Sequence, residues 1–218
     1  MGEPIIIYGK SGSGKTTSLE NFAENEIYLI NNEDKRLPFK KKFTYMSGKK
    51  GIGQTMAALS KMPTKTAVID DAGYFMTDMF MSRHREKGGS STYDLYNDIA
   101  DGMNALVNHI KKGLPEDVIV YLMFHQEKGE DGEMKLLTIG KLLDQKVCLE
   151  GKVTICLHCI ARNGEHYFET NSDGSTIAKS PRGMFEQEIP NDLKFVDDTV
   201  RNFYEIQTEF TKEVNNAE

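Results

Sequence analysis

The apolar run Ile5-Ile6-Ile7-Tyr8 passes directly into Gly9-Lys10-Ser11-Gly12-Ser13-Gly14-Lys15-Thr16, and no other junction restricts the fold of this chain as much. The run has the length and residue types of a buried strand, and the stretch after it matches the pattern G-x-x-x-x-G-K-[ST]. Its glycines let the backbone curl so that successive N–H groups converge on phosphate oxygens. Thr17-Ser18-Leu19-Glu20-Asn21-Phe22 reads as a helix, whose positive end at Lys15 adds to the attraction. Lys15 then reaches the β and γ phosphates of a nucleoside triphosphate, and the Thr16 hydroxyl ligates Mg²⁺. Gly9, Lys10, Ser11, Gly12, Ser13, Gly14, Lys15, Thr16 and Thr17 form the expected cradle for ATP.

A chain of 218 residues, 39% hydrophobic, is long enough for one α/β domain with a sizeable core and too short for two. We place the domain at residues 1–189 and a C-terminal helical extension and tail at 190–218. No apolar run approaches a membrane span, and Met1-Gly2-Glu3-Pro4 lacks the basic start of a secretory leader. The odd set Cys148, Cys156 and Cys159 excludes a disulfide framework. Both observations point to the cytoplasm. Cys156-Leu157-His158-Cys159 contains a C-x-x-C, but no second pair stands at zinc-site spacing, so these read as small side chains in a strand.

Apolar runs of strand length recur at Ile5 to Tyr8, Ile27 to Ile30, Thr66 to Ile69, Val118 to Phe124 and Val153 to Leu157. Helical patterns separate several of them, which predicts a mostly parallel sheet with helices on both faces. Leu95, Ile99, Met103, Leu106 and Ile110 repeat at helical spacing and predict an amphipathic helix over 94–112 that packs on that sheet. Ile155 to Ala161 and His166 to Thr170 flank an Asn163-Gly164 turn signal and predict an antiparallel hairpin. Beyond Pro190, Phe195, Thr199, Phe203, Ile206 and Phe210 suggest a terminal helix, followed by the polar tail 215–218.

A phosphate loop needs a carboxylate to hold its metal, normally at the end of an apolar strand beside the loop strand. Ala67-Val68-Ile69-Asp70 supplies it, with Asp71 as a further acceptor. Activation of water near the terminal phosphate has two candidates, Asp71 and Glu33. Glu33 follows Tyr28-Leu29-Ile30-Asn31-Asn32, the strand after the phosphate-loop helix. In that placement the chain resembles the RecA-like ATPases, whose catalytic glutamate ends this strand. The resemblance extends in order along the chain. Met123-Phe124-His125-Gln126 is similar to the strand end that carries the family's γ-phosphate-sensing glutamine, here Gln126. Residues 82–92, with Arg83, Arg85 and Lys87, stand in the place of its first DNA-binding loop, and residues 127–138 in that of the second, although Glu127, Glu130, Asp131 and Glu133 make the latter acidic. Residues 177–185 are similar to the segment that supplies cations to a neighbouring protomer, which would be Lys179 or Arg182.

With Lys179-x-Pro181-x-Gly183-Met184-Phe185 and Ile189-Pro190-Asn191-Asp192-Leu193, the chain looks most like the small phage-encoded ATPases of the Sak type. That resemblance implies ATP-dependent binding and annealing of single-stranded DNA in phage recombination or replication. Candidate partners are a single-strand-binding protein or an exonuclease, and a homo-oligomer is a candidate assembly. The net charge of −6 excludes coating nucleic acid by bulk attraction, so DNA must meet local patches. One such patch is Lys35, Arg36, Lys40, Lys41, Lys42, Lys49 and Lys50, interleaved with Phe39, Phe43 and Tyr45, a mixture that suits single strands. A solvated loop with its aromatics in the core remains an open reading of the same residues. Two other functions fit the phosphate loop: a slowly turning nucleotide-dependent loader or adaptor for replication, and a small-molecule P-loop kinase.

Overall fold

The computed structural model describes residues 1–85, 89–130, 132–139, 143 and 147–206, with residues 89–92 as backbone only. Ile5, Ile6 and Ile7 are fully buried in β1 (Glu3–Gly9), which runs through the middle of the sheet with both faces covered. The chain continues through β2 (Ile27–Asn31), β3 (Tyr45–Ser47), α1 (Ile52–Leu59), β4 (Thr66–Asp70), α2 (Tyr74–Arg83) and α3 (Gly89–Gly113). There follow β5 (Ile119–Lys128), β6 (Met134–Leu136), β7 (Ile155–Arg162), β8 (Glu165–Glu169), β9 (Glu188–Pro190) and α4 (Leu193–Phe203). The strands line up as β3-β2-β4-β5-β1-β7-β8-β9, parallel from β3 to β7 and antiparallel beyond, while β6 pairs antiparallel with the end of β5.

One face of the sheet buries Ile6, Ile30, Ile69, Leu122 and Phe124 against the apolar sides of α1, α2 and α3. On the other face Ile5, Ile7, Val68, Tyr121 and Met123 meet Leu19, Phe22, Phe43 and the α4 residues Leu193, Val196 and Val200. The α/β class and mostly parallel sheet expected from the alternating runs are therefore present. Asn163 and Gly164 turn the β7–β8 hairpin with φ of 55° and 84°, the left-handed pair that such a tight turn requires.

Four local expectations are corrected. The segment after the phosphate loop is a single 3-10 turn, Thr17–Leu19, and not an α-helix. Its hydroxyl residues compete with helical bonding: Ser18 Oγ donates to the Lys15 carbonyl at 2.6 Å. No helix dipole therefore backs the loop. Second, β5 and not β4 lies next to β1 on the side toward Asp70. The uninterrupted buried run Ile119 to Phe124 suits β5 to a position with a strand on either side. Third, where the resemblance implies loops, Arg83 ends α2 and Gln126 to Lys128 pair antiparallel with Met134 to Leu136.

Fourth, α4 buries a different stripe. Phe195 and Phe203 are 46% and 43% exposed, while Leu193, Val196, Asp197, Val200 and Arg201 face inward. Asp192 caps the helix by accepting from the amides of Lys194 and Phe195. Arg201 Nε donates to Asp197 Oδ2 at 2.7 Å, and its other nitrogens reach the carbonyls of Asp117 and Lys65 and the Thr66 hydroxyl. Tyr121 and Thr66 both donate to Asp197 Oδ1 at 3.1 Å. This network ties α4 to the starts of β4 and β5, at the edge of the sheet opposite Gly9. Residues 193–200 thus belong to the same core as β1, while Phe210 and the tail lie outside the described residues. Among the described residues no helix is long and apolar enough to cross a membrane.

Candidate nucleotide site

The chain leaves β1 toward β2 on one side, whereas the later strand β7 joins on the other, so the C-terminal end of β1 is a point where the strand order reverses. Such points open a crevice at the sheet edge. Gly9 to Thr16 fill it. A side chain at Gly9 would collide with the Cys159 carbonyl, and a Cβ at Gly14 would sit 2.8 Å from the His166 ring and 2.9 Å from Asn191 Oδ1. Gly12 and Gly14 also have φ of 77° and 102°, which favours glycine at both.

The loop carbonyls are occupied from behind. Lys15 Nζ donates to those of Gly9 and Lys10 at 3.0 and 2.9 Å, and the Ser13 carbonyl accepts from Cys159 Sγ at 3.1 Å and faces His166 Nδ1 at 2.8 Å. In front, among the described residues, the amides of Gly12, Gly14, Lys15 and Thr16 donate to no protein acceptor. Buried at 6% exposure, the Lys15 ammonium is desolvated and its pKa is lowered. Free amides around a desolvated cation form an anion-binding concavity without help from a helix.

Thr16 Oγ1 donates to Asp70 Oδ2 at 2.9 Å, while the other Asp70 oxygen is buried without a partner. Burial, with the neighbouring Asp71 charge, pushes the Asp70 carboxyl up to about 6, against the Thr16 hydrogen bond. A hydroxyl, a carboxylate and an orphaned oxygen beside free amides fit a magnesium ion, which keeps most of its waters and takes few protein ligands. Thr16 and Asp70 are the residues that would hold it.

Ser11, Gly12, Gly14 to Thr17, Lys35 to Pro38, Asp70, Asp71 and His125 enclose a cleft of about 240 Å³. Asp71, at φ 57°, turns its carboxylate between Lys35 Nζ at 2.6 Å and His125 Nε2 at 3.2 Å. Burial pushes that carboxyl up, but His125 and Lys35 together hold it down to about 2. Of the two candidates for activating water, Asp71 is therefore in the cleft wall. Glu33 lies outside it, with Oε1 3.9 Å from Lys49 Nζ.

Gln126 is also elsewhere. It lines a second cavity of about 320 Å³ behind the loop, with Lys10 to Ser13, Met134 and His158 to Ala161. Its Oε1 is 2.8 Å from His158 Nε2, and His158 Nδ1 is 2.9 Å from Glu169 Oε2, with Tyr8 stacked on the imidazole. The strand-end residue that lines this cleft is His125 and not Gln126. Alternation along β5 carries the signal: Met123 points to the face that holds the loop, so His125 shares its side and Gln126 does not.

The remaining candidates are dispersed. Arg83 pairs with Asp98 across α2 and α3, and Arg85 is exposed just beyond α2. Lys87 lies outside the described residues. Lys41 is tied down by the Glu20 and Phe22 carbonyls, leaving Lys40 and Lys42 exposed. Phe43 is buried and Phe39 packs on the same core, so neither offers a free face for a base. Lys179 is held by paired backbone bonds to Cys156, and Arg182 is exposed; neither lines the cleft.

Fold and site together define an α/β protein with a glycine-rich loop at the C-terminal end of a central parallel strand. No protein-family model matches the chain, and no curated protein matches it.

Proposed function

We propose that this chain is a RecA-like P-loop ATPase, acting in the cytoplasm of a phage-infected host, which binds ATP with magnesium and couples hydrolysis to its hold on single-stranded DNA. The observation that carries the nucleotide part is the loop itself: free amides of Gly12, Gly14, Lys15 and Thr16 beside the Thr16–Asp70 contact and an orphaned carboxylate oxygen. Lys15 and the amides hold phosphate oxygens, Thr16 and Asp70 hold the metal, and Asp71 orients water in the cleft. The magnesium ion supplies charge neutralisation on the phosphates. Support for the DNA part comes from the resemblance and from the exposed cations Lys40, Lys42 and Arg85. A single-strand-binding protein, an exonuclease and further copies of the chain remain proposed partners.

The test is steady-state phosphate release by purified protein alone, with single-stranded DNA and with duplex DNA. Stimulation by single strands is expected; equal rates in all three would remove the DNA part. Asp71→Asn is expected to lower kcat by roughly 100-fold with ATP binding kept, the usual scale for losing a water-activating group, and Glu33→Gln by only a few-fold. The opposite ranking would restore Glu33 as the water-activating residue. Arg85→Ala should weaken DNA binding and reduce its salt dependence by about one counterion, leaving DNA-free turnover intact. An unchanged slope would show that Arg85 touches no phosphate. The second reading, a slowly turning loader, is favoured by one feature: Gln126 engages His158 and not the phosphate cleft.

A further inference from the structure

The sequence groups Lys35 and Arg36 with the basic run ending at Lys50, but the fold separates them from it. Asn31, at the end of β2, brackets the turn that carries them: its Nδ2 donates to the Lys35 carbonyl at 2.6 Å and its Oδ1 accepts from the Lys35 amide at 3.2 Å. Asp34 takes a left-handed φ of 51° to close this turn, and its amide donates to the Asn31 carbonyl. On the far side Leu37 and Phe39 pack against the second core. The pair therefore stands on a turn fixed at both ends. Within the run, Lys41 is drawn back to the carbonyls after the loop, and Lys49 pairs with Asp78.

Lys35 and Arg36 both line the cleft that Lys15 lines. Lys35 Nζ holds Asp71 and lies 5.4 Å over the Tyr74 ring. Among the described residues no carboxylate pairs with Arg36, whose side chain is exposed. The cleft thus has three cations, Lys15, Lys35 and Arg36, against the carboxylates of Asp70 and Asp71, before its free amides are counted. Asp70 Oδ2 accepts from the Thr16 hydroxyl, and Lys35 pairs with Asp71. That leaves one uncompensated guanidinium facing the space where a polyphosphate would lie.

The geometry points to Lys35 and Arg36 as a cis-acting cationic arm on the terminal phosphate of the bound nucleotide, with Arg36 as its contact to the phosphate oxygens. This rests on the nucleotide reading above. A guanidinium fork matches two phosphate oxygens at once, and a charge-assisted bond of this kind is worth roughly tenfold or more in affinity. The arm belongs to the same chain as the loop, so the site needs no cation from Lys179 or Arg182 of a neighbouring copy.

The experiment is calorimetric titration of Mg-ATP and Mg-ADP into the full chain and into Arg36→Ala, Arg36→Lys, Lys35→Ala and Lys15→Ala. Phosphate release is measured on the same samples. Arg36→Ala is expected to lose about tenfold more affinity for ATP than for ADP, and Arg36→Lys to recover part of that difference. Mixing Arg36→Ala with Lys15→Ala, which keeps an intact arm but an impaired loop, should give no more turnover than the sum of the two. An ATP-to-ADP affinity ratio unchanged in both Arg36→Ala and Lys35→Ala overturns the arm while leaving the nucleotide site standing. Recovery of turnover on mixing overturns its cis action. Failure of the unsubstituted chain to bind either nucleotide overturns the nucleotide reading, and the arm falls with it.

Discussion

Lys15→Ala should eliminate nucleotide binding at working concentrations and bring phosphate release to background. The Lys15 residue is 6% exposed, and its ammonium donates to the carbonyls of Gly9 and Lys10. Its pKa is lowered chiefly because burial penalises its charge, against the attraction of the Asp71 and Asp70 carboxylates. On the proposed nucleotide reading, a polyphosphate adds counter-charge at this ammonium. Each charge-assisted bond is worth about 1.5–3 kcal/mol, so losing two such bonds costs about 100-fold to 10,000-fold in affinity. The fold should survive, because among the described residues the ammonium bonds directly only to neutral carbonyls. The check is titration with a fluorescent ATP analogue beside urea unfolding. Binding within threefold of the unsubstituted chain would end the assignment of this loop to phosphate.

The largest loss of stability is expected from Arg201→Ala. Asp197 and Arg201 are 3% and 6% exposed, and the guanidinium also serves the Asp117 and Lys65 carbonyls. Removing it leaves a buried carboxylate with only the Tyr121 and Thr66 hydroxyls, at a cost of about 3–5 kcal/mol. Against a total stability of about 5–15 kcal/mol, that is enough to move the urea midpoint far. Replacing both partners together, Asp197→Leu with Arg201→Met, should cost much less, because no charge is stranded.

The pH dependence has a definite sign. Burial raises the Asp197 pKa and Arg201 is the main influence opposing it, so without Arg201 the folded pKa rises further above the unfolded value. A raised pKa gives stability that is present at low pH and lost as pH climbs through it. The deficit of Arg201→Ala should therefore be widest near neutrality and shrink toward acid. A deficit independent of pH would mean that the cost is lost packing and not a stranded charge.

The central strands, α3 and the β7–β8 hairpin were legible because each announces itself locally, by an apolar run, a helical repeat or an Asn-Gly turn. The tight turn after β1 was legible because Gly12 and Gly14 stand where the backbone takes left-handed φ angles that favour glycine. What escaped depends on contacts between distant residues. The order of β4 and β5 beside β1 is a choice among similar apolar runs. The inward face of α4 was masked because its true stripe includes Asp197 and Arg201, which look like surface residues until they pair. Lys35 looked like one more cation in a basic run, and only the Asn31 bracket and Asp71 bring it to the cleft. At the end of β5, choosing between His125 and Gln126 required knowing that the strand keeps its alternation to Lys128.

The absent side chain of Gly14 is the space into which His166 and Asn191 lodge, one from β8 and the other from the turn before α4, while Cys159 of β7 grips the Ser13 carbonyl beside it. The resting shape of the loop is thus moulded by the antiparallel margin of the sheet, which lends the cleft no lining residue of its own. Changes far from any phosphate, in the hairpin or in the approach to α4, would reach ligand affinity by deforming this mould. On the proposed nucleotide reading, the edge strands are in that sense part of the binding apparatus, contributing posture in place of contact.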